Sequence, residues 1–464
     1  MKNRICLLLA FLIAPSLTLA QDVGGVWELR NRITGPQFGG GFGNQFGISL
    51  ENAGDLDGDG VEDLAVASPG FPGAPSVGPG AVFLFSGANH SFLRRLDPVP
   101  VGNRQTGFGF SLADAGDVDG DGFDDLLVGA PSSRPGPPSS IFNSGAAFLY
   151  SGSDGALLWK LEGVEENELL GASVCRVGDL DGDGLPDVAV GDSLSADPDP
   201  PRPGKVLLLR GFDGAPIRVL QSTVLGDDFG LSVAGPGDLD GDGWPDVLVG
   251  VPERQVFGDQ FGKVLLFSGR DGALLREFVA TGTQRSSFGR YLKVIGDLDG
   301  DGFSEWGGLV FNFSFTLEHE PDFVDLFDGF SGARLARIQG FDPDELFGFQ
   351  ALSMARDANG DGIADLLIGA FRGKVQGVGR PGAAYLFSTS DFHLIHRFHA
   401  IEPDDFGQFG FAVLLGSDLA GDGRSEVVVG APLARVGDEH GVGDVRFFRF
   451  FPGLQADATR LSAS

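Results

Sequence analysis

The chain is short of the residues that most often carry catalysis or covalent cross-linking. Its 464 residues include two cysteines, six histidines and three tyrosines. Cys6 sits in a leader-like N-terminal stretch, which leaves Cys175 alone and no intrachain disulfide to form. Cys175 lies in the apolar stretch Ala172 to Val177 and reads as an inert, buried thiol. There is no Gly-x-Ser-x-Gly elbow, no His-Glu-x-x-His pair and no phosphate-cradling Gly-Lys-Ser/Thr. Gly39 to Gly43 is glycine-rich but leads into a strand pattern rather than a helix, so it is a loop and not a nucleotide site. Amphipathic helical periodicity is missing, and past the N-terminus no apolar run approaches membrane length. Positive charge is also scarce, with 33 Lys and Arg against 64 Asp and Glu and a formal net charge of −31. That balance argues against nucleic acid and anionic membranes as partners, since both need a field of Lys and Arg.

Met1 to Ala20 reads as a secretory signal peptide. Lys2 and Arg4 form its charged start, Ile5 to Ala14 is an apolar run too short to span a bilayer, and Thr18-Leu19-Ala20 offers small residues for cleavage. The expectation is an exported chain, secreted, periplasmic or at the cell surface, with no transmembrane segment after processing.

What the chain has in quantity is glycine, phenylalanine and aspartate in a fixed arrangement. Asp55-Leu56-Asp57-Gly58-Asp59-Gly60-Val61-Glu62-Asp63 places carboxylates at loop positions 1, 3, 5 and 9 and glycines at 4 and 6. Short Asp side chains at alternate positions converge on one point only if the backbone curls tightly, which glycine at positive φ allows. Such a point suits a hard cation that takes six to eight oxygens, and Ca²⁺ is the expected ion. In unit one the ligands are then Asp55, Asp57, Asp59 and Asp63, with the backbone carbonyl of Val61 at position 7. Unit two repeats them as Asp117, Asp119, Asp121, Phe123 and Asp125, and unit three as Asp179, Asp181, Asp183, Leu185 and Asp187. Unit four has Asp238, Asp240, Asp242, Trp244 and Asp246, and unit five has Asp297, Asp299, Asp301, Phe303 and Glu305. Unit six has Asp357, Asn359, Asp361, Ile363 and Asp365, while unit seven keeps Asp418, Asp422 and Glu426 but has Ala420 at position 3. Up to six or seven ions are therefore expected, in saturated structural sites rather than open catalytic ones.

The starts lie 62, 62, 59, 59, 60 and 61 residues apart, the signature of a repeat architecture. An EF-hand is excluded, because it requires a bidentate Glu at position 12 and flanking helices. Position 12 here is Val66, Val128, Val190, Val249, Gly308, Ile368 or Val429, and the flanks are strand-like. Plain solvated turns would leave the seven-fold phasing without a cause.

Each unit reads as four short strands separated by turn signals. Phe-Gly opens the first strand at Phe46, Phe108, Phe229, Phe288, Phe347 and Phe409, with Leu170-Gly171 in unit three. In unit two the first strand is expected over Phe108 to Ala115, followed by the Asp loop and an apolar second strand ending in Gly129-Ala130-Pro131. A variable loop, a third strand, a turn with Asp154-Gly155 and a fourth strand complete it. Seven four-stranded units imply an all-β, seven-bladed β-propeller as one domain over residues 21–464, with units starting near 46, 108, 170, 229, 288, 347 and 409. Residues 25–33, with Val26 to Arg30 patterned like a fourth strand, are expected to complete unit seven in preference to the polar tail Pro452 to Ser464.

Phe-Gly, an Asp-x-Asp-Gly-Asp-Gly loop and Gly-Ala-Pro in phase over the whole mature chain resemble the FG-GAP repeat, which builds the seven-bladed head of integrin α subunits. The resemblance implies a propeller with Ca²⁺ held between the first and second strands of each blade. Departures are Ala420, which removes a ligand, Asn359, which removes a charge, and Trp306-Gly307-Gly308, which weakens the second strand of unit five.

In an up-down blade the Asp loops share one face. The variable loops, 70–80, 131–145, 193–204, 252–262, 310–322, 371–382 and 432–443, share the other, and function usually sits on such loops over a rigid scaffold. The expected function is a binding, adhesion or recognition module for a protein or glycan on the face opposite the calcium loops. One alternative is a polysaccharide lyase or hydrolase, which would need Arg, Lys, His or Tyr with carboxylates in the central mouth. Another is a structural surface protein with no specific ligand. His393, His396 and His399 sit in a fourth strand, with His396 facing opposite to the other two, and read as an exposed strand face rather than a metal cluster.

Overall fold

A strand packed on both faces must be apolar throughout, whereas one packed on a single face alternates. That distinction organises every blade. The second strands Leu64–Ser68, Asp125–Gly129, Asp187–Asp192, Asp246–Val251, Glu305–Val310, Asp365–Ala370 and Val427–Ala431 are buried at every residue. The fourth strands, such as Leu274–Val279 and Arg334–Gln339, are mostly exposed or half-buried and anchor through one inward residue, Phe278 or Ile338.

These patterns come from a computed structural model that describes residues 25–35, 45–69, 79–98, 106–133, 143–193, 202–252, 262–280, 287–311, 321–374, 379–400, 407–418, 422–435 and 441–452. The expected signal peptide and most of the variable-loop residues, Phe257 and Phe261 included, lie outside them, as do 419–421 and 453–464. Among the described residues there are seven four-stranded antiparallel sheets and no helix, and the protein is an all-β seven-bladed propeller. Six blades run in sequence order from inner to outer strand. The seventh combines Val413–Leu415, Val427–Ala431 and Asp444–Pro452 with Gly25–Thr34 as its outermost strand.

That last strand pairs antiparallel with Asp444–Pro452, from Gly25 opposite Pro452 to Thr34 opposite Asp444, with a bulge between Leu29 and Asn31. Trp27 packs on Phe450 of its own blade at 5.2 Å and reaches Phe398 of the neighbouring blade at 5.1 Å. Arg32 pairs with the fully buried Asp444, and Asn31 bonds His90 of blade one at 2.8 Å. The strand therefore touches three blades, six, seven and one.

Blade-to-blade packing is apolar at depth. The Phe of each Phe-Gly pair, and Leu170 in blade three, is at most 1 % exposed. Polar clamps work at the edges. Ser111 Oγ donates to Gly171 O, while Ser173 and Ser232 Oγ accept from Val233 N and Leu292 N of the next blade, each at 2.9 Å. Arg94 donates to Gly152 O and Ser153 O, and Trp159 Nε1 to Gly211 O, so outer strands grip the following blade's turn.

Local expectations shift in four places. The first strand of blade two runs over Ser111–Gly116, because Phe108 and Gly109 belong to the preceding turn. Trp306-Gly307-Gly308 does not break its strand: Glu305–Val310 pairs on both sides, and Trp306 stacks on Phe327 at 4.4 Å. Cys175 is half-buried and lines the axial cavity, and its surroundings push the thiol up to about 12. His396 is not on an exposed face but lies against Trp27 and Phe398, at 5.8 Å and 4.7 Å.

Candidate metal centres

The acidic loops are built alike in blades one to five. Backbone N–H groups collect on the position-1 carboxylate: Asp55 Oδ1 accepts from Gly58 N at 2.7 Å and Oδ2 from Gly60 N at 2.9 Å. Asp117, Asp179, Asp238 and Asp297 repeat this with Gly120 and Gly122, Gly182 and Gly184, Gly241 and Gly243, and Gly300 and Gly302. Gly58 and Gly60 sit at φ +77° and +87°, the left-handed region that the tight curl was expected to need.

The position-9 carboxylate joins the loop to the rest of its blade. Asp63, Asp125, Asp187, Asp246, Glu305 and Asp365 are fully buried. Asp63 accepts from Leu56 N within the loop and from Gly87 N in the turn between the third and fourth strands, both at 2.8 Å. Asp125, Asp187, Asp246 and Glu305 make the same two bonds, the second to Gly152, Gly211, Gly269 and Gly329. Glycine is required there by close approach, since a Cβ on Gly152 would stand 1.9 Å from Asp124 O. Blade six has Thr389 instead, whose N and Oγ1 both bond Ala364 O, and Asp365 Oδ1 is left without a partner.

Positions 1, 3 and 9 converge. One oxygen each from Asp55, Asp57 and Asp63 lies within 4.8 Å of the others, and so it is for Asp117, Asp119 and Asp125, for Asp179, Asp181 and Asp187, for Asp238, Asp240 and Asp246, and for Asp297, Asp299 and Glu305. Oxygens on opposite sides of a Ca²⁺ ion stand about 5 Å apart, twice its usual bond length. An all-oxygen donor set at that spacing fits a hard cation. The position-5 side chains face the position-7 backbone instead, with Asp59 Oδ1 accepting from Val61 N and Asp121, Asp183, Asp242 and Asp301 accepting from Phe123, Leu185, Trp244 and Phe303 N.

Electrostatics point the same way. Burial, and then the neighbouring carboxylates, push Asp63, Asp187 and Asp246 up to about 6 and Asp125 and Asp365 up to about 7. Charge of one sign is thus concentrated where only a cation or protons can relieve it. In blade three Arg210 supplies part of that relief, with Nε 2.9 Å from Asp181. Blade six keeps the bond from Ile363 N to Asp361 Oδ1 but differs at position 3, where Asn359 is buried and bonds Asp361 through its side-chain oxygen and nitrogen. In blade seven other side chains approach the loop: Arg449 lies 2.7 Å from Asp422, and the His90 ring lies beside Glu426, with Nε2 at 3.5 Å.

A second constellation escaped sequence reasoning. The first strands surround an axial cavity of ≈ 720 Å³. Across it Lys293 bonds Glu51 at 3.0 Å; on its wall Arg356 bonds Glu62 at 2.7 Å and Arg176 lies 3.5 Å from Asp114 of the adjacent blade. The partners stand 62, 242 and 294 positions apart, so no local pattern announces them.

Comparison with known proteins matches this architecture. The FG-GAP repeat is found at residues 46–85 and 108–150, and the FG-GAP-like repeat at 179–249. The chain is 32 % identical to integrin alpha-5 of Xenopus laevis over 220 residues, covering 44 % of this chain and 20 % of that protein. It is 32 % identical to integrin alpha-8 of Mus musculus over 231 residues, covering 47 % and 20 %. Against integrin alpha-PS2 of Drosophila melanogaster it is 33 % identical over 224 residues, covering 44 % and 15 %. The matched part is thus a fifth or less of each relative's length.

Proposed function

We propose that this FG-GAP-repeat propeller, similar to integrin α chains, is an exported, calcium-stabilised recognition module whose protein or glycan partner sits on the face opposite the acidic loops. The observation that carries the calcium assignment is the convergence of five carboxylate triads at one spacing, each tied by its buried position-9 residue to the turn of its own blade. Bound Ca²⁺ supplies positive charge and fixes the loop oxygens in place. Asp55, Asp57 and Asp63, with their counterparts in blades two to five, hold it, and the position-5 carboxylates and position-7 carbonyls complete the shell. Mg²⁺ is a poor substitute, because it demands a near-ideal octahedron that a crowded, partly buried carboxylate set does not offer.

Rigid strands with variable connections on the far face are the arrangement expected of a binding scaffold. No helix among the described residues is long and apolar enough to cross a membrane. The test is elemental analysis for bound Ca²⁺ together with a pull-down and glycan array run with Ca²⁺ and with chelator. Calcium-dependent capture, with hydrogen-exchange protection on the face opposite the acidic loops, supports the reading. Absence of bound Ca²⁺, or protection confined to the acidic loops, overturns it.

One observation favours an enzyme as second reading, namely the cations and carboxylates in the axial cavity. Their pairing argues against catalysis, since Glu51, Glu62 and Asp114 are each held by Lys or Arg, and burial pushes the Tyr291 hydroxyl up. Turnover of uronic-acid polymers is the assay that decides for it.

A further inference from the structure

Each first strand begins at or just after its Phe-Gly or Leu-Gly pair, on the face opposite the acidic loops, and runs along the axis towards them. The residue following each pair therefore stands at the mouth of the axial cavity. Those residues are Ile48, Phe110, Ala172, Leu231, Arg290, Phe349 and Phe411, six apolar side chains and one guanidinium. Ile48, Phe110, Ala172, Leu231 and Arg290 line the cavity itself.

Four cations line that cavity among the described residues, Arg176, Arg290, Lys293 and Arg356. Three have a carboxylate, in Asp114, Glu51 and Glu62. Arg290 has none: its guanidinium has the Tyr291 hydroxyl as a hydrogen-bond neighbour, and its Nε is enclosed without a partner. The Tyr291 and Phe349 rings lie 6.0 Å and 5.8 Å from its Cζ, the outer limit of a cation–π contact. Arg290 is half-buried, and a guanidinium partly shielded from water with no carboxylate beside it gains when an anion enters. Guanidinium is also the group whose paired N–H donors match a carboxylate. Below it, Lys293 and Glu51 bridge blades five and one across the axis. Three residues of strand separate Arg290 from Lys293, so the pocket above that bridge is about 10 Å deep, room for a side chain but not for a domain.

We infer that the axial mouth is a receptor for an acidic side chain of a protein partner, with Arg290 holding the carboxylate and Ile48, Phe110 and Leu231 taking its apolar flanks. This deepens the recognition reading and rests on it. Six of the seven residues that follow the pairs are apolar, a collar that suits the flanks of a peptide better than the hydroxyl groups of a sugar acid.

The probe is the capped peptide acetyl-Leu-Asp-Leu-amide, titrated into calcium-loaded protein and followed by NMR, with acetyl-Leu-Asn-Leu-amide and galacturonate as comparators. Saturable binding of the Asp peptide is expected, with the Asn peptide and Arg290→Gln each weaker by about tenfold or more, the loss of a charge-assisted bond, and Arg290→Lys in between. A thermal melt of each variant shows that it is folded. Equal binding of the Asp and Asn peptides, no effect of Arg290→Gln, or no binding at all overturns the inference, and binding of galacturonate alone through Arg290 replaces the partner class. Should Arg290→Gln still capture partners in the calcium-dependent pull-down, the recognition reading stands and the role of Arg290 falls.

Discussion

Removing calcium is the perturbation with the most calculable outcome. Sites of the extracellular type have Kd of roughly 10⁻⁴–10⁻³ M, so about 1 mM Ca²⁺ stabilises each by about 0.4–1.4 kcal/mol. Five converged triads then contribute about 2–7 kcal/mol together, a large part of the stability of an ordinary domain. For a chain of 464 residues the unfolding entropy is about 1 kcal/mol per kelvin, so chelation should lower Tm by about 2–7 °C. The pH dependence identifies the cause. Asp63, Asp187 and Asp246 sit at about 6 and Asp125 at about 7, above the usual 3.8. The folded, calcium-free protein therefore binds more protons than the unfolded chain, and its stability rises as pH falls from 8 through 6. With calcium bound these carboxylates are already neutralised, and that gain is absent. The gap between melts in Ca²⁺ and in chelator should be widest near pH 8 and close towards pH 5. Calorimetry in both buffers across that range is the assay. Coincident melts at pH 8, or a gap that does not change with pH, would refute the argument and return the loops to ordinary turns. Asp57→Ala and Asp240→Ala should each remove about one site's share, and Asp422→Ala the least, since Arg449 and Arg424 already flank it.

Four further outcomes follow from the packing. Deleting residues 21–33 removes the outermost strand of blade seven with Trp27 and Arg32, and should depress Tm and cooperativity far more than deleting 453–464; the reverse ranking in thermal melts defeats this account of closure. His396, held down at about 4 by burial and then by His399, stays neutral in the fold, so stability is lost as pH falls from 6.5 to 4, by about 2 kcal/mol after allowance for partial exposure. His396→Phe should flatten that slope in denaturant titrations. Phe108→Ala should cost about 3–5 kcal/mol, because the ring is fully buried against Phe148 and Tyr150. Gly152→Ala should destabilise blade two selectively, seen as faster hydrogen exchange at Val118 and Gly152, because its Cβ would collide with Asp124 O.

The sequence determined the repeat, the strand grammar and the acidic loops, because each is a local pattern copied seven times. A period near 60 residues, apolar second strands and the Asp-Gly spacing survive translation into structure almost unaltered, since hydrogen bonds from Gly58 and Gly60 to Asp55 need only neighbours in the chain. Tertiary structure decided what depends on closing the ring. Thr389 deprives Asp365 of the bond its counterparts make, a difference visible only once a turn 24 residues away is folded onto the loop. His396 reads as an outward strand residue, and it is Trp27, brought round from the other end of the chain, that covers it. Arg290 is the lone charged residue after a Phe-Gly pair, which the sequence displays. That it stands without a carboxylate at the mouth of an axial cavity, while Lys293 finds Glu51 across it, follows only from seven first strands converging on one axis.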